Sequence, residues 1–208
     1  MVRPAGSQLE RNMVIAHLIT GVMFFQYTSH ALQDGARSII GNQQMILNTP
    51  FPRAVFPIVS VIEAFLDFAP TLVILLLVHV VLAQPIGLSM IFLPVIIALL
   101  TVFNLGLSLL FGPLTVYFRD TMGFLPYISQ IWMYTTPILY TVAEIPPNLL
   151  VYLQWNPLFP FYVMLEQIFN GLMPDPVMML EAVAWAFGLF IVGGVVFLAK
   201  EREFAVRF

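Results

Sequence analysis

Two apolar runs, Phe56–Leu82 and Leu88–Leu110, follow one another with only the uncharged Ala83-Gln84-Pro85-Ile86-Gly87 between them. Crossing roughly 30 Å of hydrocarbon takes about 20 mostly apolar residues at 1.5 Å each. Both runs pass that length, and a soluble core has no room for two such neighbours. The composition agrees: the chain is 60% hydrophobic and 9% charged, with 8 Lys+Arg and 11 Asp+Glu among 208 residues. Ordinary globular domains are about 25% charged. So few charges do not cover a water-exposed surface, and so many apolar residues exclude disorder. The apolar runs reach the C-terminus, which excludes a signal peptide ahead of a soluble domain. Their length excludes the short alternating strands of a β-barrel. The absence of cysteine removes disulfides and thiolate metal sites, and a net charge of -3 gives no sign of nucleic-acid binding. An all-α polytopic membrane protein, folded as one transmembrane domain over 1–208, is the class that remains.

About five spans are expected: Met13–Tyr27 with an extra turn, Phe56–Leu82, Leu88–Leu110, Phe124–Val142 and Ala182–Ala199. The first is the weakest, being short and carrying His17 and Gln26. Basic residues set the orientation. Arg37, Arg53 and Arg119 lie in two alternate loops, and Lys200, Arg202 and Arg207 lie in the tail 200–208. The segments around 83–89 and 143–181 hold no Lys or Arg. The former group, and the C-terminus, therefore face the cytoplasm. Arg3 and Arg11 break the pattern by falling outside. Either the first segment does not cross, or an earlier span is missing.

The connection 143–181 is no plain loop. Prolines at 146, 147, 157, 160, 174 and 176 cut it into pieces too short to cross. Phe161–Phe169 reads as a short helix, and Tyr152, Trp155 and Tyr162 suit the headgroup zone. These pieces either lie on the outer leaflet as a cap or dip into it as re-entrant helices. If they dip, protein or water must satisfy their backbone.

Several polar groups are candidates for function. Glu63 and Asp67 are four apart on the second span and share a face. They serve either a proton relay or hydrogen bonds to a neighbouring helix. His17, His30 and His79 have no metal-binding spacing. Between the first two spans, Met45, Ile46 and Leu47 form a short apolar set closed by Pro50 and Pro52. A rigidly ended helix there, within 38–53, is suited to passing motion from a soluble partner. Tyr117-Phe118-Arg119-Asp120 ends the third span, with Arg119 either pairing locally or marking the inner interface. Pro137 kinks or ends the fourth. No Gly-Lys-Ser/Thr phosphate loop, HExxH, GxSxG or TVGYG occurs, so no enzyme or channel filter is indicated.

Four motifs carry a resemblance. Asn48-Thr49-Pro50-Phe51-Pro52-Arg53, followed by Val55-Phe56-Pro57, resembles the cytoplasmic loop of ABC-2 type permeases in their polysaccharide-exporting branch. Val116-Tyr117-Phe118-Arg119-Asp120, Thr136-Pro137-Ile138-Leu139-Tyr140 and Asn156-Pro157-Leu158 are similar to later family motifs and occur in family order. Phe204-Ala205 and Arg207-Phe208 fit the family's basic tail loosely. The resemblance implies a type V exporter transmembrane domain in the bacterial inner membrane, working as a homodimer with two copies of an ATPase. It implies that Met45, Ile46, Leu47, Phe51 and Arg53 contact that partner. ATP and Mg would be bound there, with no cofactor or metal on this chain. The cargo implied is a lipid-linked envelope polysaccharide such as O-antigen, galactan or teichoic acid. Relatives carry an amphipathic helix and a span ahead of the point where this chain starts, so it is expected to begin late. Phe124, Trp132, Tyr134 and Tyr140 are candidates to line the sugar path. A small-molecule or lipid permease, an ion-coupled transporter using Glu63 and Asp67, and a non-transporting assembly subunit are the alternatives.

Overall fold

A computed structural model describes residues 8–48, 52–82 and 87–204, whose regular elements are all helical, with no strand among them. In chain order the helices are α1 (Gln8–Gly41), α2 (Gln43–Asn48), α3 (Val55–Val81), α4 (Leu93–Tyr117), α5 (Thr121–Thr135), α6 (Pro147–Leu153), α7 (Phe159–Phe169) and α8 (Pro176–Lys200). A 3-10 turn, Leu88–Phe92, leads into α4, and another, Glu201–Glu203, follows α8. Three stretches among the described residues are long and apolar enough to cross a membrane: Val55–Val81, Leu88–Tyr117 and Pro176–Glu203.

α4 runs to Tyr117, past the expected Leu110, and α8 starts at Pro176, ahead of the expected Ala182; the two remaining long helices also differ from their expected bounds. α1 runs for 34 residues, well beyond Met13–Tyr27, because no proline interrupts Gln8–Gly41. Its second half carries His30, Gln33, Asp34 and Arg37, which lower its apolar character. α5 stops at Thr135, seven residues before the expected Val142. Its 15 residues reach about 22 Å. The cause is Pro137, which pushes the preceding residue out of the helical region. Thr136 is extended, with φ -104° and ψ 144°.

Start signals are local. Pro176 opens α8 at a position where no backbone donor is needed, and the Asp175 carboxylate accepts from Val177 N at 2.8 Å. α3 and α4 likewise take Pro57 and Pro94 in their first turns.

α4 is the centre of the bundle and packs on α8, α1 and α3. Ile96, Leu100 and Phe103 are fully buried along it. Small residues set the distances. A Cβ on Gly193 would lie 2.3 Å from the Gly106 carbonyl oxygen, and one on Gly106 would lie 2.6 Å from Phe190 N. On the other flank, a Cβ on Gly35 would meet Ser108 Oγ at 2.0 Å. Lipid tails are as apolar as leucine, so membrane helices gain from close contact rather than from leaving water.

The two ends of the bundle are built differently. At one end lies α7, with nine of its eleven residues buried against α8, α4, α1 and the turn before α4. At the other end a second apolar cluster joins Ile39, Ile46, Phe56, Leu109, Val116, Phe197 and Phe204. It ties α2 and the tail to the ends of α1, α3, α4 and α8.

Gly106→Ala and Gly193→Ala are each expected to cost about 1–3 kcal/mol by forcing α4 from α8. Gly123→Ala and Gly194→Ala, whose added methyls meet nothing within 4 Å, are expected to be neutral or slightly stabilising. Thermal unfolding of the four purified variants in detergent checks the contrast.

Candidate functional site

The motif residues gather at the two ends of the bundle, and each group is built by different chemistry. At the α2 end, α1 finishes at Gly41 and the chain turns through Asn42, whose side chain donates to Ser38 O at 2.8 Å. α2 then plugs into the second cluster through Ile46, which is buried. Met45 and Leu47 are about half exposed, at 54% and 50%. One apolar residue thus anchors the helix, and its two neighbours are presented outward. Phe51 of the same predicted set lies outside the described residues.

Arg53 is partly buried, and its Nη1 donates to the Glu201 carbonyl oxygen. The guanidinium therefore sits at the C-terminal end of α8, where the helix dipole favours a cation. Tyr117 donates its hydroxyl to Glu203 Oε2. Lys200 Nζ lies 3.4 Å from Glu203 Oε1 and 5.2 Å from the centre of the Tyr117 ring. Phe204 is fully buried, edge-on to Phe197 at 5.6 Å. The predicted loop motif and the predicted Tyr117 motif are thus brought together by the tail. Arg119 and Asp120 are not part of this knot. Both are exposed, no ion pair joins them, and their carbonyls accept from Met122 N and Gly123 N as α5 begins.

At the α7 end, the two later motifs meet through Asn156. Its Nδ2 donates to Thr135 O at 3.0 Å and to Thr136 Oγ1 at 2.9 Å. Its Oδ1 accepts from Trp132 Nε1 at 2.8 Å and from Leu158 N at 3.0 Å. One side chain satisfies the frayed end of α5 and starts the turn into α7. Sequence reading took Asn156 only as part of a motif. Its position between Trp155 and Pro157 was visible, but its partners lie about 20 residues upstream.

The four aromatic candidates are not brought to one face. Trp132 turns inward, toward Asn156 and Phe103, whose ring centre is 6.1 Å away. Tyr140 donates its hydroxyl to Tyr134 O at 3.2 Å. Phe124 and Tyr134 are exposed, and with Tyr127 and Ile131 they line one side of α5 at helical spacing. Between α5 and the α1–α4 pair lies an apolar groove of about 370 Å³, walled by Leu32, Leu107, Phe111, Ile128, Ile131 and Thr135 and also by Trp132.

Glu63 and Asp67 are exposed on α3. Asp67 borders a groove of about 130 Å³ with Gln26, His30 and Thr71, and no ion-pair partner reaches either acid among the described residues. His79, expected as a polar interface residue, is buried, with its ring 4.2 Å from that of Phe169. Among the described residues no group of His, Cys, Asp and Glu is placed to hold a metal ion.

A family model described as ABC-2 type transporter matches residues 3–170. The chain is similar to an "O-antigen export system permease protein RfbA" of Klebsiella pneumoniae, at 30% identity over 190 residues covering 90% of this chain and 73% of that protein. A second protein of that description and organism is 31% identical over 156 residues, or 74% of this chain and 60% of the relative. One from Myxococcus xanthus is 24% identical over 193 residues, covering 90% and 74%.

Asn156→Ala is expected to destabilise the fold by about 2–3 kcal/mol, since it strands the Trp132 indole N–H and the end of α5. Thermal unfolding followed by tryptophan emission checks it, and Asn156→Asp, which keeps the acceptor but turns a second carboxylate oxygen onto the Thr135 carbonyl, should also destabilise.

Proposed function

The chain belongs to the ABC-2 type transporter family, as the permease component of an ABC-type exporter, and from that premise we propose that its cargo is a lipid-linked envelope polysaccharide. The observation that carries the cargo reading is the likeness to O-antigen export permeases over nine-tenths of this chain. It is a multi-pass membrane protein and no catalytic domain. The finer reading is about five crossings in a bacterial inner membrane, with the α2 end and the C-terminus in the cytoplasm. The segment 143–181 is then extracytoplasmic and re-entrant. Burial of α7 supports this, because backbone at membrane depth is tolerated where protein covers it.

The energy enters at 38–53. α2 is the element that meets a separate ATP-hydrolysing subunit, where ATP and Mg are bound. The outward Met45 and Leu47 are its contact, and Ile46 is its root in the bundle. A push on α2 reaches α8 through Arg53 and the Glu201 carbonyl, and reaches α4 through Tyr117 and Glu203. The bundle is thereby moved as a body between closed and open states.

The permease works as two copies. The face of α5 that carries Phe124, Tyr127 and Tyr134 is exposed among the described residues, and flat rings suit the apolar faces of sugars. That face is the side on which the polymer path forms between copies. Glu63 and Asp67, exposed on α3, keep an ion-coupled mechanism as the second reading.

Purification from native membranes, followed by mass spectrometry, tests the proposal. Two permease copies with two ATPase copies are expected, and a lone chain under conditions that hold a known exporter complex together would sink it. Met45→Asp with Leu47→Asp should cut export at least tenfold and release the ATPase, while the permease keeps its melting behaviour. Export driven by a proton gradient without ATP, and lost in Asp67→Asn, would favour the ion-coupled reading instead.

A further inference from the structure

At the α7 end, a cavity of about 20 Å³ lies among α1, α3, α7 and the chain after α5. Six polar residues border it: His17, Thr20, His79, Tyr162, Glu166 and Asn170. Two of these are almost wholly buried, His79 at 1% and Tyr162 at 2% exposure. His79 Nε2 and Tyr162 Oη have no hydrogen-bond partner among the described residues.

The ring chemistry of His79 says what it needs. Its Nδ1 lies 2.9 Å from the Leu75 carbonyl oxygen. A carbonyl only accepts, so the proton is on Nδ1, and Nε2 presents a lone pair to the cavity. The Tyr162 phenol, un-ionised at neutral pH, is an O–H donor. Two acceptors or two donors would repel, but a lone pair and an O–H that border one cavity without bonding to each other are complementary to a molecule that both accepts and donates. A cavity of this size takes one water, which needs about 10–15 Å³ and two to four polar partners.

We propose that a single ordered water binds here, donating to His79 Nε2 and accepting from Tyr162 Oη. Its second proton goes to the Glu166 carboxylate, whose Oε2 also accepts from Val142 N at 3.5 Å. His17 closes the same side by donating Nε2–H to Tyr140 O at 3.2 Å. The water therefore ties α7 to the end of α3, beside a link from α1 to the segment after α5. It is a latch that must be broken whenever α7 leaves the bundle. It also explains why a histidine and a tyrosine sit at positions where leucine and phenylalanine would leave no orphaned group.

The test is a structure of the full chain in native-lipid nanodiscs, at a resolution that displays ordered solvent. Density within hydrogen-bond distance of both His79 Nε2 and Tyr162 Oη is expected. A direct bond between the two side chains, or a dry cavity, overturns the proposal. A second measurement is thermal unfolding of Tyr162→Phe, His79→Leu and the pair. Each single change removes the bridge, so the double variant should lose much less than the sum, whereas additive losses overturn it. Should His79→Leu fail to fold, Tyr162→Phe alone decides. Its Tm should fall by roughly 2–4 °C, and an unchanged Tm rejects the bridge.

Discussion

Backbone-to-backbone approach between α4 and its two neighbours is the contact on which the rest of this structure depends. Gly106 and Gly193 let α4 and α8 touch at main-chain distance, and Gly35 against Ser108 does the same for α1 and α4. In lipid, burying leucine against leucine gains little over burying it against a tail. Surface shape is what holds such helices together, and the smallest side chains permit the best fit. Once α4 is clasped from both sides, Phe103 and Leu100 are sealed, and the short helices have fixed walls to pack on.

Each end of that core solves a different problem. At the α7 end, eleven residues of buried helix have polar termini that must be paid for locally. Asn156 and Ser89 do so, the latter through a bond to Ile168 O, while Gln167 accepts from Asp175 N at the start of α8. At the α2 end the structure uses charge-assisted bonds and an aromatic plug. Arg53, Tyr117, Lys200 and Glu203 hold the tail against the root of α3 and the end of α4. Exposed ion pairs contribute little on their own. Their value here is positional, since they lie beside the helix that presents Met45 and Leu47. α5 stands apart from both arrangements. It packs lightly, is short, and exposes an aromatic side.

Much of this was legible in the residues. The bounds of α3, the C-terminal end of α8 and a short helix near Phe161–Phe169 follow from apolar run length and from proline, which act within a few residues, whereas α8 starts six residues before the expected Ala182. The family likeness was legible too, because its motifs are contiguous. The role of Asn156 was not, since three of its four bonds go to Trp132, Thr135 and Thr136. Nor was the inward turn of Trp132, because one ring on a mostly apolar helix gives no clue to its direction. The length of α1 was underestimated because hydropathy reports where a helix meets lipid, whereas the helix continues through the polar residues of its second half.

By itself, then, the sequence determined the solvent, the helical class and the order of the long helices. Those are set by local apolar content, by backbone hydrogen bonding that has no other outlet in hydrocarbon, and by prolines. The tertiary structure decided which groups meet: the tail with Arg53 and Tyr117, Asn156 with the end of α5, and His79 with Tyr162 across one small cavity. Such meetings depend on the register and crossing of helices far apart in the chain, and no local pattern encodes those.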